Sequence, residues 1–301
     1  MIVAGAETAW VTPTAIKKWR GAGLSVLGLH PPHDRPAQRI LTIGGADAVL
    51  PDTTPPDQVL QVVRILERPV PAESESGTLT AVTGSKGAPG ISEVALCLAW
   101  GLAERRPTLL IDLDRQGPSL SVRLGVTPAP DVAHAADAVM MSGVFPPEVR
   151  RIGRLALLAG PAMRHSGPLA GSLINEVVQA AEGTFERIVV DLGVSAPDDP
   201  LLYRAASRIL TCEASPKGLV RAAATVESWA APLPSLVLNR VPPGTNADTI
   251  NAARHWLGLE PRVLLPNLAE VPETSRAAGP PNRRLVELLE PLHEPVPANL
   301  D

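Results

Sequence analysis

The feature that most limits how this chain can fold is a regular alternation of short β-rich runs and helical patterns. The runs fall at 1–4, 24–29, 48–50, 79–83, 108–111, 155–158, 187–190, 208–212, 236–238 and 262–265. Helical periodicity separates most of them, at about 14–20, 56–66, 92–105, 169–181, 218–229, 247–256 and 283–289. Strand–helix–strand order of this kind predicts an α/β fold, a mostly parallel sheet with helices on both faces. No fixed-period repeat is present.

A length of 301 residues suggests two domains. The segment ERPVPAESESG around residues 67–77 has almost no apolar content and reads as a solvated linker. The expected division is a small α/β domain at 1–67, a linker at 68–78, a larger domain at 79–292 and a proline-rich, acidic, frayed tail at 293–301. Three strand–helix units are few for an independent core, so the front piece is expected to need the larger domain or a second copy of itself. Aromatic residues make up only 3%, which leaves an aliphatic, alanine-rich core. The formal charge of −4 excludes a strongly basic nucleic-acid-binding chain. Cys97 and Cys212 are far apart in apolar surroundings, so buried free thiols are expected rather than a disulfide, zinc site or iron–sulfur cluster. No apolar run reaches the length of a membrane span, and the first ten residues lack the basic start of a signal peptide. A cytoplasmic location is the resulting expectation.

The most informative stretch is 79–106, LTAVTGSKGAPGISEVALCLAWGLAERR. It reads as a strand, a glycine-containing turn and a nearly all-apolar helix. Gly84, Gly87 and Gly90 let the backbone curl so that successive N–H groups point inward, and the following helix adds its unpaired first N–H groups and positive dipole end. Together they form an anion cradle suited to a di- or triphosphate. Lysine is scarce, four against 23 arginines, and one of the four, Lys86, falls in this turn.

Residues 85–92, Ser85-Lys86-Gly87-Ala88-Pro89-Gly90-Ile91-Ser92, resemble the deviant Walker A loop of the MinD/ParA ATPases, K-G-G-x-G-K-[ST]. The resemblance implies a SIMIBI-type P-loop NTPase fold, ATP and Mg²⁺ as ligands, and a homodimer. It gives Lys86 the place of the family's signature lysine, which reaches phosphates across the dimer, and Ser92 that of the Mg²⁺-binding hydroxyl. Ala88 replaces a glycine. The second loop lysine, which contacts the β- and γ-phosphates, is Ile91 here. Losing a cation that balances transferred charge is expected to slow or abolish hydrolysis.

Further motifs follow in the family's order. Residues 108–117, TLLIDLDRQG, resemble its second strand and switch I, where Asp114 would orient the attacking water and Asp112 would support the metal site. Residues 185–193, FERIVVDLG, resemble the Walker B strand and switch II; Asp191 would hold an Mg²⁺-bound water and Gly193 would let the switch move. LVLNR at 236–240 resembles the adenine-recognition strand end, with Asn239 beside Arg240. Residues 263–266, ending in Pro266, together with the later Gly279-Pro280-Pro281, resemble the segment that closes over the base.

Two features resemble the CpaE/TadZ branch in particular. One is the GAPG form of the loop. The other is the small front domain, where 45–66 resembles the final strand and helix of a response-regulator receiver and 1–30 resembles receiver strands three and four. Gly5-Ala6-Glu7 and Pro51-Asp52 stand where the phospho-acceptor aspartate and the late lysine belong, so an atypical, truncated receiver without phosphorelay is implied. The branch implies a role in positioning or assembling Tad-type pilus or secretion machinery, with a secretion ATPase or other polar assembly proteins as partners, at a pole or septum. Two alternatives stay open: an active ParA/MinD-like ATPase in septum or chromosome positioning, and a nucleotide-free scaffold.

Other residues carry less. Arg150, Arg151 and Arg154 read as a solvated basic surface, and DNA is not an expected partner. His30 and His33 flank two prolines in what reads as a surface loop, and the remaining histidines lack the spacing of a catalytic base. The helix at 283–289 lacks the amphipathic pattern that lies on membranes, so no direct membrane insertion is expected.

Overall fold

The computed structural model describes residues 1–8, 11–21, 24–67, 77–85, 87, 90–161, 171–196, 199–229, 231–268 and 278–294. The expected linker falls almost wholly outside these residues. The chain forms two compact units. One comprises Met1–Ser74, Ala196–Arg204 and Ala223–Pro234, and the other Glu75–Ser195, Ala205–Ala222 and Ser235–Asp301.

The first unit holds a three-stranded parallel sheet in the order β1 (Ile2–Gly5), β2 (Val26–His30), β3 (Ala48–Pro51). Three helices connect or follow the strands: α1 (Pro13–Gly21), α2 (Arg35–Ile43) and α3 (Pro56–Glu67). Ile16 of α1 and Leu41 of α2 pack with Ala4, Val26, Ala46 and Val49 into its core. Asp47, ahead of β3, accepts from the Val26 N–H at 2.7 Å and pairs with Arg20 at 2.8 Å, fastening α1 and β3 to the central strand. Of the expected surface loop at 30–33, His30 instead ends β2 and is buried, and the helix α2, which periodicity did not indicate, follows. His33 is a turn residue with φ of 67°, and Asp34 then caps α2 by accepting from the Ala37 N–H at 3.0 Å. Pro36 sits in the first turn, where its missing N–H costs nothing.

The second unit carries β4 (Thr78–Gly84), β5 (Thr108–Asp112), β6 (Arg150–Ile152), β7 (Leu155–Leu158), β8 (Arg187–Asp191), β9 (Ser207–Glu213), β10 (Ser235–Val241) and β11 (Pro261–Pro266). They form one sheet in the order β11-β10-β9-β4-β8-β5-β7-β6, parallel except for β6. Successive residues of β4, β5 and β8 are buried one after another, so both faces of the sheet centre are covered. The helix α4 (Ile91–Ala103) is apolar almost all round because it is enclosed. One side packs on β4, β5 and β8, and α11 (Arg283–Leu288) covers another. Of the expected tail only His293 and Glu294 are among the described residues; His293 packs on Gly101 of α4, next to the buried Leu292.

Between β5 and β6 lie α5 (Leu120–Leu124) and α6 (Val132–Ser142), and β8 is preceded by α7 (Gly171–Glu182). Then come α8 (Pro200–Arg204), α9 (Pro216–Glu227) and α10 (Asn246–Leu257). The basic cluster proves to be an edge strand. Arg150 and Arg151 lie in β6, Arg150 bonds Thr127 Oγ1 at 2.6 Å, and Arg154 bonds the Glu104 carbonyl at 2.7 Å. Charge on an outermost strand discourages pairing with another chain. Cys97 in α4 and Cys212 in β9 are buried free thiols; burial pushes Cys97 up and Cys212 up to about 12. No helix among the described residues is long and apolar enough to cross a membrane.

Leu98 is fully buried in the centre of α4. Leu98→Ala is expected to lower the unfolding free energy by about 2–5 kcal/mol, read from the urea midpoint at constant slope.

Candidate functional site

The site begins where β4 ends. The Gly84 N–H and the Thr83 hydroxyl both donate to the Gly193 carbonyl, at 3.1 and 2.8 Å, and the Ser195 N–H donates to Thr83 Oγ1 at 3.2 Å. These bonds fix the turn after β8 against the turn after β4. Thr83 and Ser195 were not singled out from sequence, since their role is visible only once β4 and β8 are neighbours.

Beyond Gly84 the chain enters the expected phosphate loop. Ser85 is buried, and its hydroxyl has no hydrogen-bond partner among the described residues. Lys86, Ala88 and Pro89 lie outside the described residues. Gly87 and Gly90 take left-handed φ values of 75° and 84°, which favour glycine. Both are also pressed from outside: a methyl group on Gly87 would stand 2.6 Å from Arg221 Nη1, and one on Gly90 2.6 Å from Asn239 Nδ2. Gly90 leads directly into α4 without a side-chain cap, so the first-turn N–H groups face the loop side of the helix. Ile91 is buried in the main core and touches Gly84, where an added methyl would stand 2.5 Å from its Cδ1.

Three carboxylates gather at the ends of β5 and β8, where Asp112 and Asp191 are register partners. Asp112 Oδ2 accepts from the Ser119 and Leu120 N–H groups, both at 2.9 Å, and Oδ1 accepts from Asp114 at 3.3 Å. It therefore caps α5 and shapes the turn after β5. Burial raises its pKa, against those backbone bonds and with help from Asp114. Asp114 accepts from the Gln116 N–H at 2.9 Å, and its carboxyl lies 2.5 Å from where a side chain on Gly193 would begin. Asp191 is fully buried. Its Oδ1 accepts from the Gly193 N–H at 3.0 Å, whereas Oδ2 has no hydrogen-bond partner among the described residues. Burial raises its pKa to about 6, the Ser92 hydroxyl and Gly193 N–H opposing and Asp112 and Asp114 adding. Ser92 thus stands close enough to favour the charged form without making a hydrogen bond to Oδ2.

A cleft of about 240 Å³ opens over these groups, lined by Gly90, Ile91, Ser92, Asp114, Gln116 and Gly193 among others. The loop, the predicted metal-binding hydroxyl and the predicted water-orienting aspartate therefore share one cavity. Asp112, Asp191, Asn239, Arg240 and Pro266 do not line it. Asn239 accepts from the Arg240 N–H through Oδ1 at 2.8 Å, so its amide oxygen is engaged locally while its nitrogen faces Gly90. Arg240, with φ of 59°, pairs with Glu213 at 3.5 Å. Pro266 ends β11 beside Val241.

The chain shares this architecture with solved ATPases. The ParA family ATPase from Chlorobium tepidum superposes with a TM-score of 0.60 at 19% identity, over 73% of this chain and 100% of the other. MinD in the MinC:MinD cell division complex of Aquifex aeolicus gives 0.59 at 16% identity, over 74% and 99%. The septum site-determining protein MinD of Pyrococcus horikoshii, complexed with Mg-ADP, gives 0.53 at 16% identity, over 72% and 94%. The fold is that of the ParA and MinD ATPases. No protein-family profile and no curated protein sequence matches the chain.

Among the described residues no three His, Cys, Asp or Glu side chains converge as a metal cage. Mg²⁺ needs none, since it keeps several waters and takes one or two protein oxygens beside phosphate. Ser92 and the unmatched oxygen of Asp191 fit that requirement. Glu93, which also lines the cleft, makes a forked ion pair with Arg123 of α5, at 2.9 and 2.8 Å, and Arg123 donates to the Gly279 carbonyl at 2.8 Å. The pair is nearly buried, 9% and 12% exposed, and ties Gly279 of the expected base-covering segment to the helix that begins at the loop.

Two predictions follow from these charges. Arg123→Ala breaks a nearly buried ion pair and is expected to cost about 3–5 kcal/mol in denaturant unfolding, with Arg123→Lys between it and the wild type. The pKa of Asp191 is raised on folding, from 3.8 to about 6, so its stabilising effect is complete below pH 3.8 and is lost as pH rises through 6. Without metal or nucleotide, Asp191→Asn is expected to stabilise the protein by about 3 kcal/mol at pH 8, and the gain should vanish towards pH 4.

Proposed function

We propose that this chain is an ATP-binding positional or assembly factor of the CpaE/TadZ kind. It acts as a homodimer holding nucleotide between its subunits, with weak or absent hydrolysis. The observation that carries this reading is the single cleft shared by Gly90, Ser92, Asp114 and Gly193, with the unmatched Asp191 oxygen beside it, in a ParA/MinD fold. The Mg-ADP bound by the Pyrococcus horikoshii protein supports nucleotide as the ligand class.

Each residue then has a defined task. The loop backbone and the first turn of α4 hold phosphate oxygens through N–H groups, and the helix dipole favours their charge. Ser92 and Asp191 hold the Mg²⁺ side, and Lys86 reaches the nucleotide of the other subunit. Mg²⁺–ATP supplies a polyanion with its counter-ion, whose presence or absence separates two states of the protein. Asp114 stands where an attacking water is oriented, and its contact with Gly193 links that position to the turn after β8. Ile91 carries no charge, so negative charge developing during transfer lacks a balancing cation at that position. Asn239, Arg240 and Pro266 are assigned to the base side. The GAPG loop and the small parallel front unit support the CpaE/TadZ branch, in which pilus or secretion proteins are the partners and a pole or septum is reached through them.

Titration of the purified protein with fluorescent ATP and Mg²⁺ is expected to give saturable binding that Ser92→Ala weakens. No binding at millimolar nucleotide would overturn the switch and leave a scaffold. Phosphate release is expected to stay at the buffer baseline with DNA, lipid vesicles or candidate partners added. Turnover that one of these stimulates and Asp114→Ala abolishes would establish a working ATPase instead.

A further inference from the structure

The loop lacks a cation at position 91, yet a guanidinium stands against it from another element. Arg221 lies one turn into α9, and its Nη1 and Cζ come within 2.6 and 3.7 Å of where a side chain on Gly87 would begin. Gly87 is exposed and left-handed, so at this point the loop presents bare backbone beside a fixed positive charge.

The approach is built in by the corner between β9 and α9. Ser215 accepts from the Gly218 N–H through Oγ at 3.1 Å and from the Leu219 N–H through its carbonyl at 2.9 Å. The Ser215 hydroxyl in turn donates to Glu213 at 3.1 Å. Gly218 is packed so tightly that an added methyl would stand 2.2 Å from the Glu213 carbonyl oxygen. The start of α9 is therefore seated directly on the end of β9, and β9 pairs with β4 at Gly84, one residue before the loop. From this helix the side chain of Arg221 reaches Gly87. Ile91, by contrast, is sunk into the core against Gly84.

An arginine is suited to this place. Its planar fork matches two phosphate oxygens at once. The buried Ser85 hydroxyl, which has no hydrogen-bond partner among the described residues, belongs to the same loop. The carboxylates Asp112, Asp114 and Asp191 nearby make an added polyanion unfavourable unless a cation accompanies it.

We propose that Arg221 supplies, from within the same chain, the phosphate-binding cation that Ile91 does not provide. This rests on the nucleotide reading above and concerns the holding of a nucleoside di- or triphosphate. The test is calorimetric titration of ADP and ATP with Mg²⁺ into wild type, Arg221→Met and Arg221→Lys. The methionine keeps the apolar stem and the lysine keeps the charge. Arg221→Met is expected to weaken both nucleotides by about tenfold to a hundredfold, whereas Arg221→Lys recovers most of that loss. Adding Ile91→Lys to Arg221→Met is expected to restore affinity, because the charge returns to the loop. Melting curves without nucleotide check folding, and the Lys variant keeps the test decisive if the Met variant unfolds. Wild type that binds with the Met variant within twofold overturns the assignment of Arg221 alone. Equal losses in the Met and Lys variants make Arg221 a shaper of the loop and overturn it too. Wild type that binds neither nucleotide overturns the nucleotide reading itself.

Discussion

The enclosure of α4 is the constraint on which the site depends. This helix is buried along nearly its whole length between the sheet and α11, and its first residue, Ile91, belongs both to the core and to the phosphate loop. Core packing and loop geometry are therefore not separable properties. A helix that cannot tilt or slide fixes where its uncapped N–H groups stand, and the loop before it must fit the span back to Gly84. The glycines at 87 and 90 absorb that fit through left-handed φ values, with side chains of α9 and β10 pressing on them from outside.

Around the cleft the same logic is carried by polar groups. Asp112 spends its oxygens on α5, and Arg123 of α5 spends its fork on Glu93, one residue beyond Ser92. The turn after β8 is held by Gly84 and Thr83 through one carbonyl oxygen, that of Gly193. Asp191 is what remains unmatched. Its burial without a full set of partners is costly for the isolated fold, and such a cost is relieved by a ligand that brings a cation or a bound water.

Much of this was legible in the sequence, and the parts that were not share a cause. The strands were readable because each is a short β-rich run between breakers, and Ser92, Asp114 and Asp191 were singled out through the resemblance of their motifs to those of the MinD/ParA ATPases. The helix α2 was hidden by Pro31, Pro32 and Pro36, which read as chain breaks although the last sits harmlessly in a first turn. The helix α6 is rich in alanine and weakly amphipathic, so periodicity does not reveal it; its signal is the Asp131 cap, which accepts from the His134 N–H at 3.1 Å and also pairs with its ring. Strand β6 is three residues of mostly charge, and only its pairing with β7 makes it a strand. Arg221 and Thr83 act through partners more than 100 residues away, and no local spacing encodes such contacts.

Position 91 shows how one residue can trade chemistry for packing. A lysine there would carry its charge on the residue that opens α4, at the seam between core and cleft. Isoleucine instead closes the core against Gly84 and leaves the cleft wall apolar at that point. The charge then has to come from another element, and the β9–α9 corner is one, since the close packing of Gly218 and the Ser215 hydroxyl seat it on the end of β9. A cation delivered from α9 meets the loop at Gly87, near its beginning, rather than at its end beside Ser92. It can steady bound phosphates there without standing next to the groups at Asp114, where transfer to water would develop charge. Separating the holding of phosphate from its transfer in this way is what a nucleotide-dependent switch with slow turnover requires.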